Sequence, residues 1–321
     1  MAARATFHRV PPPSPTYRPE DYERSALPSS TSSRSSDDAS RCLLLALSHD
    51  ELGVIVDGLA DPLQPVVAVA LSSTCEGLRT PLRAALEVLQ ERHARAVALC
   101  RKLKMSCAAV RVAEKLGWYS KGLTAYDMAT LAMILQTNGL PKLKRLYIER
   151  NYFGGQHLAV LFGALGPGAL PSLEDLPVFK NDIGPLGAEA FAAAITRGAM
   201  PKLRIAAFYN NPIGNQGVAA LKASLRKREL WFLGVMDVGL DDDGVSSLMS
   251  DLDKDDFKAL ERLDIGENPI TDRGCATITT AINRGALPAL LQIFTKAALG
   301  YELSEETCEA LHQAITTRIP Q

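Results

Sequence analysis

Between Leu140 and Leu221 the chain repeats itself at a fixed interval, and that period constrains the fold more than any local motif. From Leu140 it reads LPKLKRLYIERNYFGG, from Leu170 LPSLEDLPVFKNDIGPLG, and from Met200 MPKLRIAAFYNNPIGNQG. A unit that recurs with phase is one supersecondary element that stacks on its neighbours, because alone it cannot bury its apolar face. The first anchors fall at Leu143, Leu173, Leu203, Leu230, Leu260 and Leu290, giving steps of 30, 30, 27, 30 and 30 residues.

Inside each unit the next apolar pairs are Leu146/Ile148, Leu176/Val178, Ala206/Phe208, Leu233/Val235, Leu263/Ile265 and Ile293/Thr295. This alternation predicts a short strand with one face buried. Asn151, Asn181, Asn211 and Asn268 follow it, where a buried amide can satisfy turn groups that no strand ladder reaches. Glycines at 184, 187, 214, 217, 244 and 274 are expected to free the backbone for the bend into a helix. Alanine-rich helical segments such as 188–196 and 217–225 then complete the unit. Val238 and Ala298 stand where other units have Asn, and the 27-residue step predicts a local irregularity in curvature over 227–240. One period before Leu143 lies Ala113, so 112–135 reads as a degenerate first unit. The segment 303–315, entered through Ser304 and Thr307, reads as a capping helix.

The template L-x-x-L-x-L-x-x-N-x-I-G-x-x-G resembles the leucine-rich repeat family, in particular its long ribonuclease-inhibitor-like class with one strand and one full helix per repeat. The resemblance implies an α/β solenoid: a horseshoe with parallel strands inside, helices outside and an N-terminal helical cap. It puts the repeats at 106–321, about six to seven of them.

With 321 residues and 47% apolar side chains, a sizeable core is available. A net charge of −1 predicts no general attraction to nucleic acid or to a membrane surface. No apolar run reaches the roughly 18–20 residues of a spanning helix, and the N-terminus has no secretory h-region. The six cysteines lack C-x-x-C spacing, so reduced, buried thiols are expected, and by exclusion the cytoplasm or nucleus. The five histidines form no pair at metal spacing, and no P-loop, G-x-S-x-G, H-E-x-x-H or EF-hand pattern occurs. Neither cofactor nor metal nor catalysis is expected. The acidic run DLDKDDF at 251–257 reads as a solvated turn.

Residues 1–41, rich in Pro and Ser, read as a disordered tail, and 42–105 as a separate helical region. Ser48 and Glu51 form a capping-box pattern, Leu52, Ile55, Val56 and Leu59 make a stripe, and Asp61-Pro62 interrupts it. A long amphipathic helix is expected over 80–103, with His93 packed on its apolar face. Leu47, Glu51, Leu52, Ile55, Leu59, Leu71, Cys75 and Leu78 give the segment a resemblance to an F-box, although Ser48 stands at the usual Pro. That resemblance implies docking of a Skp1-like adaptor; the alternative is a plain helical cap on the first repeat.

Strand positions that point away from the core include Tyr147, Glu149, Phe179, Ile205, Tyr209, Phe232, Met236, Arg262, Asp264 and Phe294. An aromatic strip flanked by charge is the pattern of a protein-binding surface. The expected function is non-catalytic protein recognition by a chain monomeric on its own. Its narrower form, implied by the F-box resemblance, is a substrate receptor of a ubiquitin ligase. A free-standing scaffold or inhibitor, and a Ran-type GTPase-activating protein using Arg150 or Arg273, are the alternatives.

Overall fold

The computed structural model describes residues 44, 47–73, 78, 80, 82–137, 140–295 and 303–317. The tail expected over 1–41, Cys75 of the F-box-like segment and Ala298 lie outside the described residues. Among the described residues four helices come first: α1 His49–Leu59, α2 Val66–Ser73, α3 Arg83–Lys102 and α4 Cys107–Val112. Strands and helices then alternate: β1 Lys115–Gly117, α5 Ala125–Thr137, β2 Arg145–Tyr147, α6 Gly154–Gly163, β3 Asp175–Pro177, α7 Pro185–Thr196 and β4 Ile205–Ala207. The series continues through α8 Gly214–Leu225, β5 Phe232–Gly234, α9 Asp242–Met249, β6 Arg262–Asp264, α10 Asp272–Asn283 and β7 Gln292–Phe294 to α11 Glu305–Thr316.

Among the described residues seven strands pair in parallel and in chain order, as a solenoid of right-handed strand–helix units requires. Each repeat anchor from Leu143 to Leu290 is buried, and so are the central strand residues Leu116, Leu146, Leu176, Ala206, Leu233 and Leu263. The short step leaves the ladder intact, since Ile205, Ala206 and Ala207 pair with Phe232, Leu233 and Gly234. The missing residues come from the connections: α8 keeps its 12 residues, and only 226–231 separate it from β5. The degenerate first unit is a true repeat, with Lys115 paired to Arg145 and Leu116 and Trp118 both buried.

Between sheet and helices, Phe162, Phe191 and Phe208 stack edge-to-face with centroids 5.2 and 5.0 Å apart. The glycines work differently from expectation. Of the six, only Gly214 has a left-handed φ, +61°. Gly187, Gly217, Gly244 and Gly274 serve close packing: a Cβ at Gly187 would lie 2.5 Å from Ile183 Cγ2 and one at Gly217 2.7 Å from Ile213 Cβ, whereas one at Gly184 would meet nothing within 4 Å.

The asparagines form the polar spine. Asn181 Nδ2 donates to the carbonyls of Ile148 and Val178, both at 3.1 Å, and its Oδ1 accepts from the Asn151 amide at 2.8 Å. Asn211 repeats the pattern, accepting from the amides of Asn181 and Ile183 at 3.1 and 3.0 Å. Asn268 accepts from Val238 and Leu240. Val238 is itself buried, so one rung carries no amide. Basic side chains close helix ends from the following unit: Arg197 donates to the carbonyls of Phe162 and Leu165, and Arg228 to that of Ile195.

The acidic run at 251–257 is not a solvated turn throughout. Asp256 is fully buried and binds Arg226 at 2.5 Å and Lys227 at 2.8 Å. Hydrogen bonds from the Arg226 guanidinium hold its carboxyl well below the ordinary carboxylate range, against a smaller opposing effect of burial. The pair ties the end of α8 to the long turn after the shortened α9, where an extra helical turn would otherwise sit. Asp241 caps α9 through the amides of Asp243 and Gly244, and buried Asp242 accepts from the Thr271 amide and hydroxyl and from Arg273.

Of the N-terminal helices, α3 and α4 join the same core, which gathers Leu63, Ala96, Leu99 and Val110 with Trp118. The Ser48–Glu51 capping box forms, with the Ser48 amide 2.8 Å from Glu51 Oε2 and the Glu51 amide 3.3 Å from Ser48 Oγ. His93 is packed as expected, with Nδ1 2.8 Å from the Pro62 carbonyl. Among the described residues no helix is long and apolar enough to cross a membrane.

Asn181→Ala strands the Asn151 amide and leaves the Ile148 and Val178 carbonyls only their second donors, Asn151 and Asn211, so a loss of about 1–3 kcal/mol is expected in urea unfolding. A loss under about 1 kcal/mol would show that water repairs the rung. The depressed pKa of Asp256 makes its contribution complete above the unfolded-state value near pH 3.9 and lost as pH falls toward the folded one. Asp256→Asn is therefore expected to lower the urea midpoint at neutral pH, with the gap to wild type narrowing below about pH 3. A gap independent of pH would rule out charge as the cause.

Candidate functional site

Because strand side chains alternate, the residues flanking each buried central Leu or Ala face the side of the sheet away from the helices. Pairing in register lines up Arg145, Asp175, Ile205, Phe232, Arg262 and Gln292 in one row. A second row follows from Tyr147 through Gly234 and Asp264 to Phe294, and Glu149, Phe179, Tyr209 and Met236 lie just beyond it. Phe179, Ile205, Tyr209, Phe232 and Met236 are all half-buried on this face, whereas Arg262 is exposed.

The centre is a run of rings. Phe179 and Tyr209 have centroids 6.2 Å apart, Tyr209 and Phe232 6.3 Å, and Phe232 and Trp231 6.3 Å. Gly234 makes this possible. A Cβ there would fall 2.5 Å from Tyr209 Cε1 and 2.8 Å from Cζ, so the ring lies flat across the strand only because that position is bare. Burial pushes the Tyr209 hydroxyl well above its ordinary value, and its hydrogen bond to Asp264 adds to the shift. Tyr209 thus links the apolar centre to the acidic side chain of β6.

On one flank, Tyr147 Oη donates to Asp175 Oδ2 at 3.1 Å, while the Lys115 ammonium lies 4.9 Å from the Tyr147 ring centroid. Burial raises the carboxyl groups of Asp175 and Glu149 above their ordinary values. Glu149 Oε2 is buried and has no hydrogen-bond partner among the described residues. On the other flank, Arg262 stacks 5.1 Å above the Trp231 ring, and Trp231 Nε1 donates to Glu261 Oε2 at 2.8 Å. A shallow depression of about 250 Å³ opens at the strand starts, lined by Arg145, Glu174, Asp175, Arg204, Ile205 and Trp231.

The structure brings Phe179, Ile205, Tyr209 and Phe232 together and sets Tyr147 and Glu149 beside them. Phe294 stands apart on the last strand, 47% exposed. Trp231 and Gly234 were not legible as site residues. Trp231 precedes the alternating positions, and the value of Gly234 appears only when the Tyr209 ring is placed over it.

In the F-box-like segment, Leu52 and Leu78 are buried within this chain, at 2% and 0% exposure. Leu47, Ile55, Leu59 and Leu71 are half-buried, and exposed Glu51 is engaged with Ser48. The apolar side chains most open to solvent there are Val54, Val66 and Val67, none of which the motif singles out. Among the described residues no group of three or more His, Cys, Asp or Glu side chains is placed to hold a metal ion.

The Leucine Rich repeat family model matches residues 169–192, from the turn before β3 into α7, and 259–278, from the turn before β6 into α10. No curated protein matches the chain. The two matches, in equivalent places of a seven-stranded parallel sheet that alternates with helices, support a leucine-rich repeat protein.

Gly234→Ala is expected to push the Tyr209 ring off the strand, at a cost of about 1–3 kcal/mol and with a changed near-ultraviolet circular dichroism spectrum. An unchanged spectrum and stability would mean the ring does not need the bare backbone.

Proposed function

We propose that the chain is a protein-recognition module whose strand-side face, centred on Phe179, Tyr209 and Phe232, binds another protein without catalysing a reaction. Leucine-rich repeats are generally non-enzymatic interaction modules. The carrying observation is the ring run itself. Three aromatic side chains remain half-exposed in contact, Phe179 tilted against Tyr209 and Tyr209 edge-on to Phe232. Rigid aromatic anchors bordered by charge, including the unpartnered Glu149 oxygen, are what a binding hot spot requires.

The narrower proposal makes α1 and α2 an adaptor-docking element for a Skp1-like protein, with the recognition face presenting a substrate for ubiquitin transfer. Its support is the motif resemblance together with the exposed valines at 54, 66 and 67. A variant at Leu52 or Leu78 would report folding, because both are core, so the informative positions are Val54 and Ile55. The free-standing scaffold or inhibitor remains the alternative. In the GTPase-activating alternative, Arg273 would have to leave its exposed ion pairs with Asp242 and Asp243.

A photo-crosslinking amino acid placed at Met236 or Phe294, and as a control at helix-borne Leu186, tests the first proposal in cells that express the chain. One protein should be captured from both face positions and not from 186. Phe179→Ala combined with Phe232→Ala should weaken its binding by roughly a hundredfold. Equal capture from Leu186, or an unchanged affinity, would remove the face from consideration.

A further inference from the structure

The strand-side face makes no use of the two thiols at the junction between the N-terminal helices and the first repeat. Cys100 lies in the last turn of α3 and Cys107 opens α4, and the short turn 103–106 folds back so that their Sγ atoms stand 3.6 Å apart. Both are free, Cys100 buried and Cys107 partly open to solvent. Around them are Leu99, Leu103 and Val110 of the core, with Asp61 paired to Arg111 one helical turn along α4.

We infer that Cys100 and Cys107 form a redox modification site that closes into an intramolecular disulfide on exposure to a hydroperoxide. Two sulfurs in direct contact need only rotate and close by about 1.5 Å to reach bonding distance. The order of events follows from exposure. The Cys107 thiolate, reachable from solvent, attacks one oxygen of hydrogen peroxide; the O–O bond breaks, hydroxide leaves, and Cys107 becomes a sulfenic acid. The buried Cys100 thiol then attacks that sulfur, the S–S bond forms, and the sulfenic oxygen leaves as water. Two thiols are oxidised, one peroxide is reduced, and two waters are produced. Cys107 donates a hydrogen bond to Cys100 Sγ, so the two sulfurs already face one another. By contrast, Cys275 is buried, and burial pushes its thiol up to about 11. Oxidation would staple α3 to α4 just before β1, locking the turn that carries the chain into the repeat sheet.

Peptide mapping of the reduced full chain, treated with one equivalent of hydrogen peroxide and then alkylated, decides the matter. Trypsin cuts between the two cysteines, so the disulfide appears as peptide AVALCR (96–101) joined to MSCAAVR (105–111) in a non-reduced digest. This species should exceed any pairing of another cysteine by roughly tenfold, and Cys107→Ser should abolish it. The inference is overturned if Cys100 and Cys107 both stay alkylatable, if Cys107 stops at the sulfinic acid with Cys100 still free, or if another pair links first. Mapping of the wild-type chain alone gives the answer even if the serine variant proves unstable.

Discussion

Three-residue strands do not carry enough ladder to satisfy the backbone of a 30-residue unit, and the buried asparagines make up the difference. Each side-chain amide stands between two units, accepting amide protons from the unit before it and donating to carbonyls on both sides. The turn into each helix is thereby kept away from water without leaving orphaned polar groups. Everything else in the repeat is arranged around that turn. The anchor leucines bring it inward, the bare helical glycines let the next helix close over it, and the arginines seal the helix ends that it leaves pointing at the neighbour.

The period and the alternation within it were enough to read the repeat anchors, the strand positions, the asparagine spine and the degenerate first unit, because each is a local consequence of burial with a fixed phase. The acidic residues were harder. Asp256 sits in a run of aspartates that looks solvated, and it is paired inside the chain with Arg226, thirty residues earlier at the end of α8, across the turn that follows the shortened α9. Asp242 is in the same position relative to Thr271 and Arg273. Composition shows charge, whereas only the stacking of units shows which charges face one another.

The recognition face was legible as a set of outward positions but not as a surface. Phe179, Tyr209 and Phe232 follow from counting, yet their contact depends on Gly234, whose place in the row of strand ends would otherwise have held a side chain. Four of the glycines expected to supply backbone freedom, Gly187, Gly217, Gly244 and Gly274, turned out to supply room, and Gly234 supplies it on the opposite side of the sheet from them. Likewise the F-box-like leucines were identified by spacing, and spacing does not distinguish a leucine that holds its own helix down from one offered to a partner.

The short fourth step carries a lesson about where this architecture tolerates change. Three residues are missing from one unit, but Phe232 still meets Ile205 and Arg262 at strand spacing, because the loss was taken up in the connections around α8. Strand spacing is set by hydrogen bonding at about 4.8 Å and not by the length of chain between strands. The strand-side face therefore behaves as a ruler with fixed graduations, insulated from insertions and deletions on the helical side. The outer surface can lengthen or shorten while the distances offered to a partner stay the same.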